Sequence, residues 1–103
     1  MLGYMYRNGH GVPKDDAQAV KWFRLAADQG VPSAQSSLGD MYELGQGVPK
    51  DYVLAYMWRN LAAAGGGAFT REKAAKARDD LAGKMSPAQI AEAQKRASAW
   101  RPK

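Results

Sequence analysis

With 103 residues, 46% of them apolar and 24% charged, the chain has room for one modest core and the balance of an ordinary globular protein carrying a net charge of +5. That composition excludes a disordered chain, and the lack of any cysteine excludes disulfides, thiolate metal sites and cysteine nucleophiles. No apolar run approaches the roughly 18 residues of a membrane span and no basic-then-apolar leader opens the sequence, so the chain reads as soluble, its compartment left open.

In chain order, Leu2 to Asn8 reads as a helical stub of about two turns. The heptapeptide GHGVPKD follows, from Gly9 to Asp15, and two glycines with a proline cannot continue a helix. Asp15 is placed to cap a helix over about Asp16 to Gln29, with Gln18 three residues on as its capping-box partner. Ala19, Trp22, Phe23 and Ala26 form the apolar stripe of that helix, and Gly30 stops it. Pro32 suits the first position of the next helix, whose stripe is Ala34, Leu38, Met41 and Tyr42. Then GQGVPKD, from Gly45 to Asp51, turns the chain again. Asp51 caps a helix over about Tyr52 to Ala64 with the stripe Ala55, Trp58 and Ala62, and Gly66 ends it.

These elements form a repeat of thirty-six residues. Leu2, Gly3, Met5, Tyr6, Gly9 and Gly11 recur as Leu38, Gly39, Met41, Tyr42, Gly45 and Gly47. Val12 to Asp15 recur as Val48 to Asp51, and Ala19, Trp22, Leu25, Ala26, Ala27 and Gly30 recur thirty-six residues on. The unit is an antiparallel helical hairpin, helix A and helix B, joined by the heptapeptide turn. One hairpin cannot bury its apolar face alone, so neighbours must stack into a solenoid.

The segment LGDMYELGQGVPKDYVLAYMWRNLAAAGG resembles the Sel-1-like repeat, a relative of the tetratricopeptide repeat. Both copies carry Leu-Gly-x-x-Tyr-x-x-Gly-x-Gly-Val-x-x-Asp, then Ala-x-x-Trp and a closing Ala-Ala-x-x-Gly. The resemblance covers residues 1–66 and implies an all-α, right-handed α-solenoid that acts as a scaffold for protein or peptide partners, often in bacterial signalling or envelope settings. It divides the chain into a truncated first repeat (1–30), a full second repeat (31–66) and a degenerate capping hairpin (67–103). The first copy lacks most of its helix A, so the chain reads either as the C-terminal piece of a longer array or as an edge that another chain covers. The open apolar edge at Leu2 to Asn8 predicts self-association, a homodimer through the N-terminal end.

Beyond Gly66 the pattern fails, with Ala74 where leucine is expected and Arg78 where tyrosine is. Two helices remain legible. One starts near Thr70 and runs to about Ala82, with the stripe Ala74, Ala77 and Leu81. The other has Ser86 as N-cap, Pro87 at its first position and Gln89 closing a capping box, and runs to about Trp100. Residues 1–70 balance six basic against six acidic side chains, while 71–103 hold nine basic and four acidic, so the whole +5 lies in this last segment. A solvated capping face accounts for it. The alternative is an electrostatic footprint for an acidic partner or nucleic acid, and nucleic acid is the weaker version, because Glu72, Asp79, Asp80 and Glu92 interrupt the cations and only Phe69 and Trp100 lie nearby to stack on bases.

No catalytic, cofactor or metal site is expected. Gly9-His10-Gly11 lacks the third glycine and the Lys-Ser/Thr of a phosphate loop, and no strand precedes it. His10 aligns with Gln46, so the turn needs no imidazole; Asp15 and Asp51 read as caps, and no nucleophile, base and orienting group can be assembled. A binding surface is sought instead on the A helices, at positions where the two copies differ while their neighbours stay constant. Tyr4 aligns with Asp40, Arg7 with Glu43, Asn8 with Leu44 and Met1 with Ser37. Tyr4, Arg7, Asn8, Ser37, Asp40 and Glu43 are therefore the candidate partner groove, though neutral surface drift gives the same pattern. The leading function is a non-catalytic adaptor; the alternative is a cap that closes a longer array and has no partner site of its own.

Overall fold

In the computed structural model, Gly3 and residues 15–103 are described. Five helices and no strand occur among them: α1 (Asp16–Asp28), α2 (Pro32–Leu44), α3 (Tyr52–Gly65), α4 (Ala68–Ala82) and α5 (Pro87–Ala99). Helices α2 and α3 are helix A and helix B of the complete repeat, and α1 is helix B of the first. Apart from Gly3, the N-terminal stub, and with it the expected open edge, lies outside the described residues.

Each start follows from local chemistry. Asp15 accepts from the Gln18 amide at 3.1 Å, and Asp51 accepts from the Leu54 amide at 3.0 Å. Both satisfy a donor that the first turn of a helix leaves open. Pro32 and Pro87 open α2 and α5. At Ser86 the capping box closes both ways, with Gln89 N–H donating to the hydroxyl and Ser86 N–H donating to the Gln89 side chain. Helix α4 begins at Ala68, two residues before the expected Thr70, on Gly67 as N-cap without a side-chain bond. Alanine's helix propensity is enough to extend that end. Helix α5 stops at Ala99 because Trp100 is extended and Pro102 disfavours helical backbone at Arg101.

The turn between α2 and α3 explains its own sequence. Gly45 caps α2 with φ +70°, and the Gln46 amide reaches back to the Met41 carbonyl at 3.0 Å. Gly47 has φ +72°, and a Cβ on it would overlap the Asp16 carbonyl oxygen at the start of α1. The Asp51 amide then donates to the Tyr42 carbonyl at 2.9 Å and closes the loop. The first glycine therefore ends the helix, and the second lets the turn press on the preceding repeat's helix B. Gly66 acts otherwise: α3 ends there in extended backbone, and glycine is required because a Cβ would lie 2.9 Å from Thr70 and from the Ala62 carbonyl oxygen.

One core runs through the array. Ala19, Phe23, Ala34, Leu38, Met41, Ala55, Trp58, Leu81, Ala93 and Ala97 are buried in it. Trp22, expected in the stripe of α1, is only partly buried, and Phe23 carries that helix into the core. Neighbouring helices pack in series, α1 on α2, α2 on α3 and α3 on α4. The last pair departs from a regular hairpin, because α4 and α5 both pack mainly on α3 rather than on each other. Beyond α5, the Trp100 ring meets Trp58 edge to face at 6.1 Å, and the Lys103 amide donates to the Asp28 carbonyl at 2.6 Å. The C-terminal segment thus straps α5 across α3 to the end of α1. Trp100→Ala removes that aromatic pair and should lower stability by about 2 kcal/mol, read as a shift of the urea midpoint.

Candidate functional site

Position 23 of the first copy corresponds to position 59 of the second, and the two residues differ completely in chemistry. The Phe23 ring lies against Gly3, where an added Cβ would sit 3.0 Å from ring carbons. Arg59 takes the same place against Gly39, where an added Cβ would sit 2.7 Å from Cγ of its stem. Glycine in the Leu-Gly pair therefore clears room for whatever helix B carries there. Arg59 is 4% exposed and donates to Asp40 at 3.0 Å, to Glu43 at 2.5 Å and to the Ala77 carbonyl at 3.4 Å, while its Nε has no hydrogen-bond partner. Lys84 joins from beyond α4, 3.2 Å from the second oxygen of Glu43.

Burial alone would push the Glu43 carboxyl up, but the hydrogen bonds and charges of Arg59 and Lys84 outweigh it and hold the pKa below the ordinary glutamate value. A carboxyl whose folded pKa is depressed stabilises the fold above the unfolded pKa and loses that contribution as pH falls through the folded one. The stability advantage of the wild type over Glu43→Gln should therefore be full at neutral pH and shrink below about pH 4.3, the unfolded glutamate value, in urea titrations run at a series of pH values.

A second pairing follows the repeat. Arg24 of α1 donates to the Tyr42 hydroxyl of α2 and stands over its ring, 5.9 Å from the centroid. One repeat later Asn60 of α3 accepts from Arg78 of α4 at 2.9 Å. Arg78, which breaks the sequence pattern where tyrosine is expected, thus keeps the contact with donor and acceptor exchanged between helices.

Surface depressions among the described residues include two that bear on binding. The larger, about 470 Å³, is shallow and lined by Lys50, Asp51, Tyr52, Val53 and Gln89. Its polar groups are already engaged, Asp51 and Gln89 in helix caps and Lys50 over the Tyr52 ring at 5.1 Å. The smaller, about 230 Å³, is a cleft between the first helices of successive units. Ser33, Ser36, Ser37 and Asp40 form one stripe of α2, and Phe69, Thr70 and Lys73 form the facing stripe of α4.

Of the residues expected to form a groove, Ser37 and Asp40 line this cleft. Ser37 is buried and its hydroxyl donates to the Ser33 carbonyl at 3.0 Å; one oxygen of Asp40 is held by Arg59. Glu43 lies a turn further along α2, tied to Arg59 and Lys84. Tyr4, Arg7 and Asn8 lie outside the described residues. Arg59, Phe69 and Lys73 are the residues that comparing the two copies on the A helices passed over. The signal for Arg59 is an arginine in place of Phe23 within an otherwise repeated apolar stripe. Four of the nine cations of the basic segment, Lys76, Arg78, Lys84 and Arg96, each meet a carboxylate at close range. Among the described residues no group of His, Cys, Asp and Glu could hold a metal ion, and no helix is long and apolar enough to cross a membrane.

Serial A and B helices, a glycine-rich turn stacked on the preceding unit and a cleft between successive A helices define an all-α helical-repeat solenoid. The chain belongs to the Sel1 repeat family, whose model matches residues 1–31 and 32–67. It is similar to c5321, a protective antigen present in uropathogenic Escherichia coli strains displaying an SLR fold, with TM-score 0.89 and 33% identity over 96% of this chain and 21% of that one. A Sel1 repeat protein from Oxalobacter formigenes gives TM-score 0.65 and 40% identity over 71% of this chain and 30% of that one. The chain thus spans less than a third of either solved relative. No curated protein matches it. Repeats of this family generally serve as protein-interaction scaffolds and are typically non-catalytic.

Proposed function

We propose that this chain is a non-catalytic scaffold that holds a peptide or protein segment in the cleft between α2 and α4, with Tyr4, Arg7 and Asn8 as further candidate contacts from the first repeat. The observation that carries this reading is the pair of facing stripes. Ser36, Phe69, Thr70 and Lys73 converge on one depression although none of them belongs to the buried core. A photo-crosslinking side chain at Ser36 or Thr70 should join the chain to its partner, and one at Lys50 should not. With the partner in hand, alanine at Ser36, Thr70 and Lys73 together should weaken binding about tenfold, or about 1.4 kcal/mol. Unchanged affinity in that variant would remove the cleft from consideration.

A second reading, a cap closing a longer array, is supported by the way α4, α5 and the Trp100 strap converge on α3. It expects crosslinks from the cleft positions to find no partner.

A further inference from the structure

We infer that the occupant of the α2–α4 cleft is an extended peptide presenting an apolar side chain and, two residues on, a carboxylate. The inference rests on the scaffold reading above and adds the partner's chemistry.

Charge comes first. The single acidic side chain lining the cleft, Asp40, has its charge compensated by Arg59, 3.0 Å away and almost wholly buried. Lys73 faces it from α4 with no carboxylate among the described residues within ion-pairing distance, whereas Lys76 and Lys84 each have one. The uncompensated charge of the cleft is therefore positive, and the excess of the whole chain, +5 after residue 70, has the same sign. A basic segment would meet an anion that already has its cation; an acidic one finds a cation without a partner.

The apolar half is Phe69, 79% exposed in the first turn of α4 and the most exposed of the large apolar side chains among the described residues. Phe69 and Lys73 stand four residues apart, one helical turn, which puts their Cβ atoms about 5–6 Å from each other on one face. In an extended peptide, side chains two residues apart point the same way and lie about 6.6 Å apart. The helix spacing and the strand spacing agree, so one peptide can rest an apolar side chain on Phe69 and a carboxylate on Lys73. Ser36 and Thr70 line the same cleft, with hydroxyls able to donate to or accept from the peptide backbone. One uncompensated cation among the described residues of the cleft is too little for a nucleic acid backbone, whose affinity grows with each phosphate neutralised.

The test uses three fluorescent peptides with identical glycine-serine flanks and the centres Leu-Ser-Glu, Leu-Ser-Lys and Ser-Ser-Glu, titrated by anisotropy at low salt and mapped by amide chemical shifts. Leu-Ser-Glu should bind about five- to tenfold tighter than Leu-Ser-Lys and move amides of residues 33–40 and 69–73. Lys73→Glu should invert that ranking, and Phe69→Ser should reduce Leu-Ser-Glu to the level of Ser-Ser-Glu. Both positions are exposed, so the fold is retained, as circular dichroism would verify. Equal binding of the glutamate and lysine peptides, mapped to the cleft, overturns the charge inference while the scaffold reading stands. Shifts that map away from the cleft, or no saturation by any peptide at millimolar concentration, overturn both.

Discussion

Gly47→Ala should lower stability by about 3 kcal/mol, the sum of a left-handed backbone penalty and an overpacked contact, and is expected to be among the most damaging additions of one methyl group. With φ at +72° an alanine is strained whatever surrounds it. Its Cβ would also overlap the Asp16 carbonyl oxygen and lie 2.6 Å from the carbonyl carbon. Those are backbone atoms at the start of α1, fixed by its hydrogen bonds, so they cannot swing aside as a side chain would. The control is Gly45→Ala, where φ is +70° but the nearest atom is the Lys50 Cβ at 3.4 Å. That variant should lose only about 1–2 kcal/mol, the backbone penalty alone. Urea unfolding of the two side by side separates strain from contact. If both cost the same, the stacking of the turn on the preceding helix B is not what the second glycine provides.

The comparison of these two glycines also shows what could be read from the sequence and what could not. Gly45 is legible alone, because a glycine after Tyr42 and Leu44 and before Val48-Pro49 announces a helix end. Gly47 is legible as a repeated letter, but its reason is a contact with Asp16, thirty-one residues earlier, which no local pattern carries. The helices themselves came through well, since Asp15, Asp51 and the Ser86–Gln89 box cap them by interactions spanning three residues. The packing of the last two helices did not. Their stripes predict that they bury a face, and the choice of α3 as the shared surface depends on Trp100 and the chain end reaching Trp58 and Asp28.

The candidate site was legible in part for a similar reason. Comparing the copies marks Asp40 and Glu43 as positions that vary while Leu38, Gly39, Met41 and Tyr42 do not. Variation at a surface suggests a partner, and here part of the partner is internal. Asp40 and Glu43 face Arg59, and Arg59 replaces Phe23 of the first copy, so the substitutions on two helices belong together. Read along one helix they look independent; read across the α2–α3 contact Arg59 joins them in one ion-paired cluster.

Arg59→Ala should accordingly cost about 2–3 kcal/mol. Removing one member of a buried ion pair leaves its partners uncompensated at about 3–5 kcal/mol, and the side-chain exposure of Asp40 and Glu43, 32% and 20%, reduces that. Arg59→Phe, which restores the residue of the first copy, should still destabilise, because two carboxylates would then border an aromatic ring. Arg59→Phe combined with Asp40→Tyr and Glu43→Arg installs the first copy's full set, Phe23, Tyr4 and Arg7, in the second. It should recover about 1–2 kcal/mol relative to the sum of its parts, the coupling expected of residues in direct contact. Gly39→Ala belongs to the same cluster, since its Cβ would press on the Arg59 stem; it should be costly in the wild type and less so once Arg59 is alanine, when only the close contact with the Ala55 carbonyl oxygen, 3.3 Å away, remains. Thermal or urea unfolding of the singles and combinations measures all of these. Strict additivity across the set would mean that the copies drifted position by position and that Asp40 and Glu43 owe nothing to Arg59. Recovery would mean that the repeat tolerates exchange at this contact only as a unit.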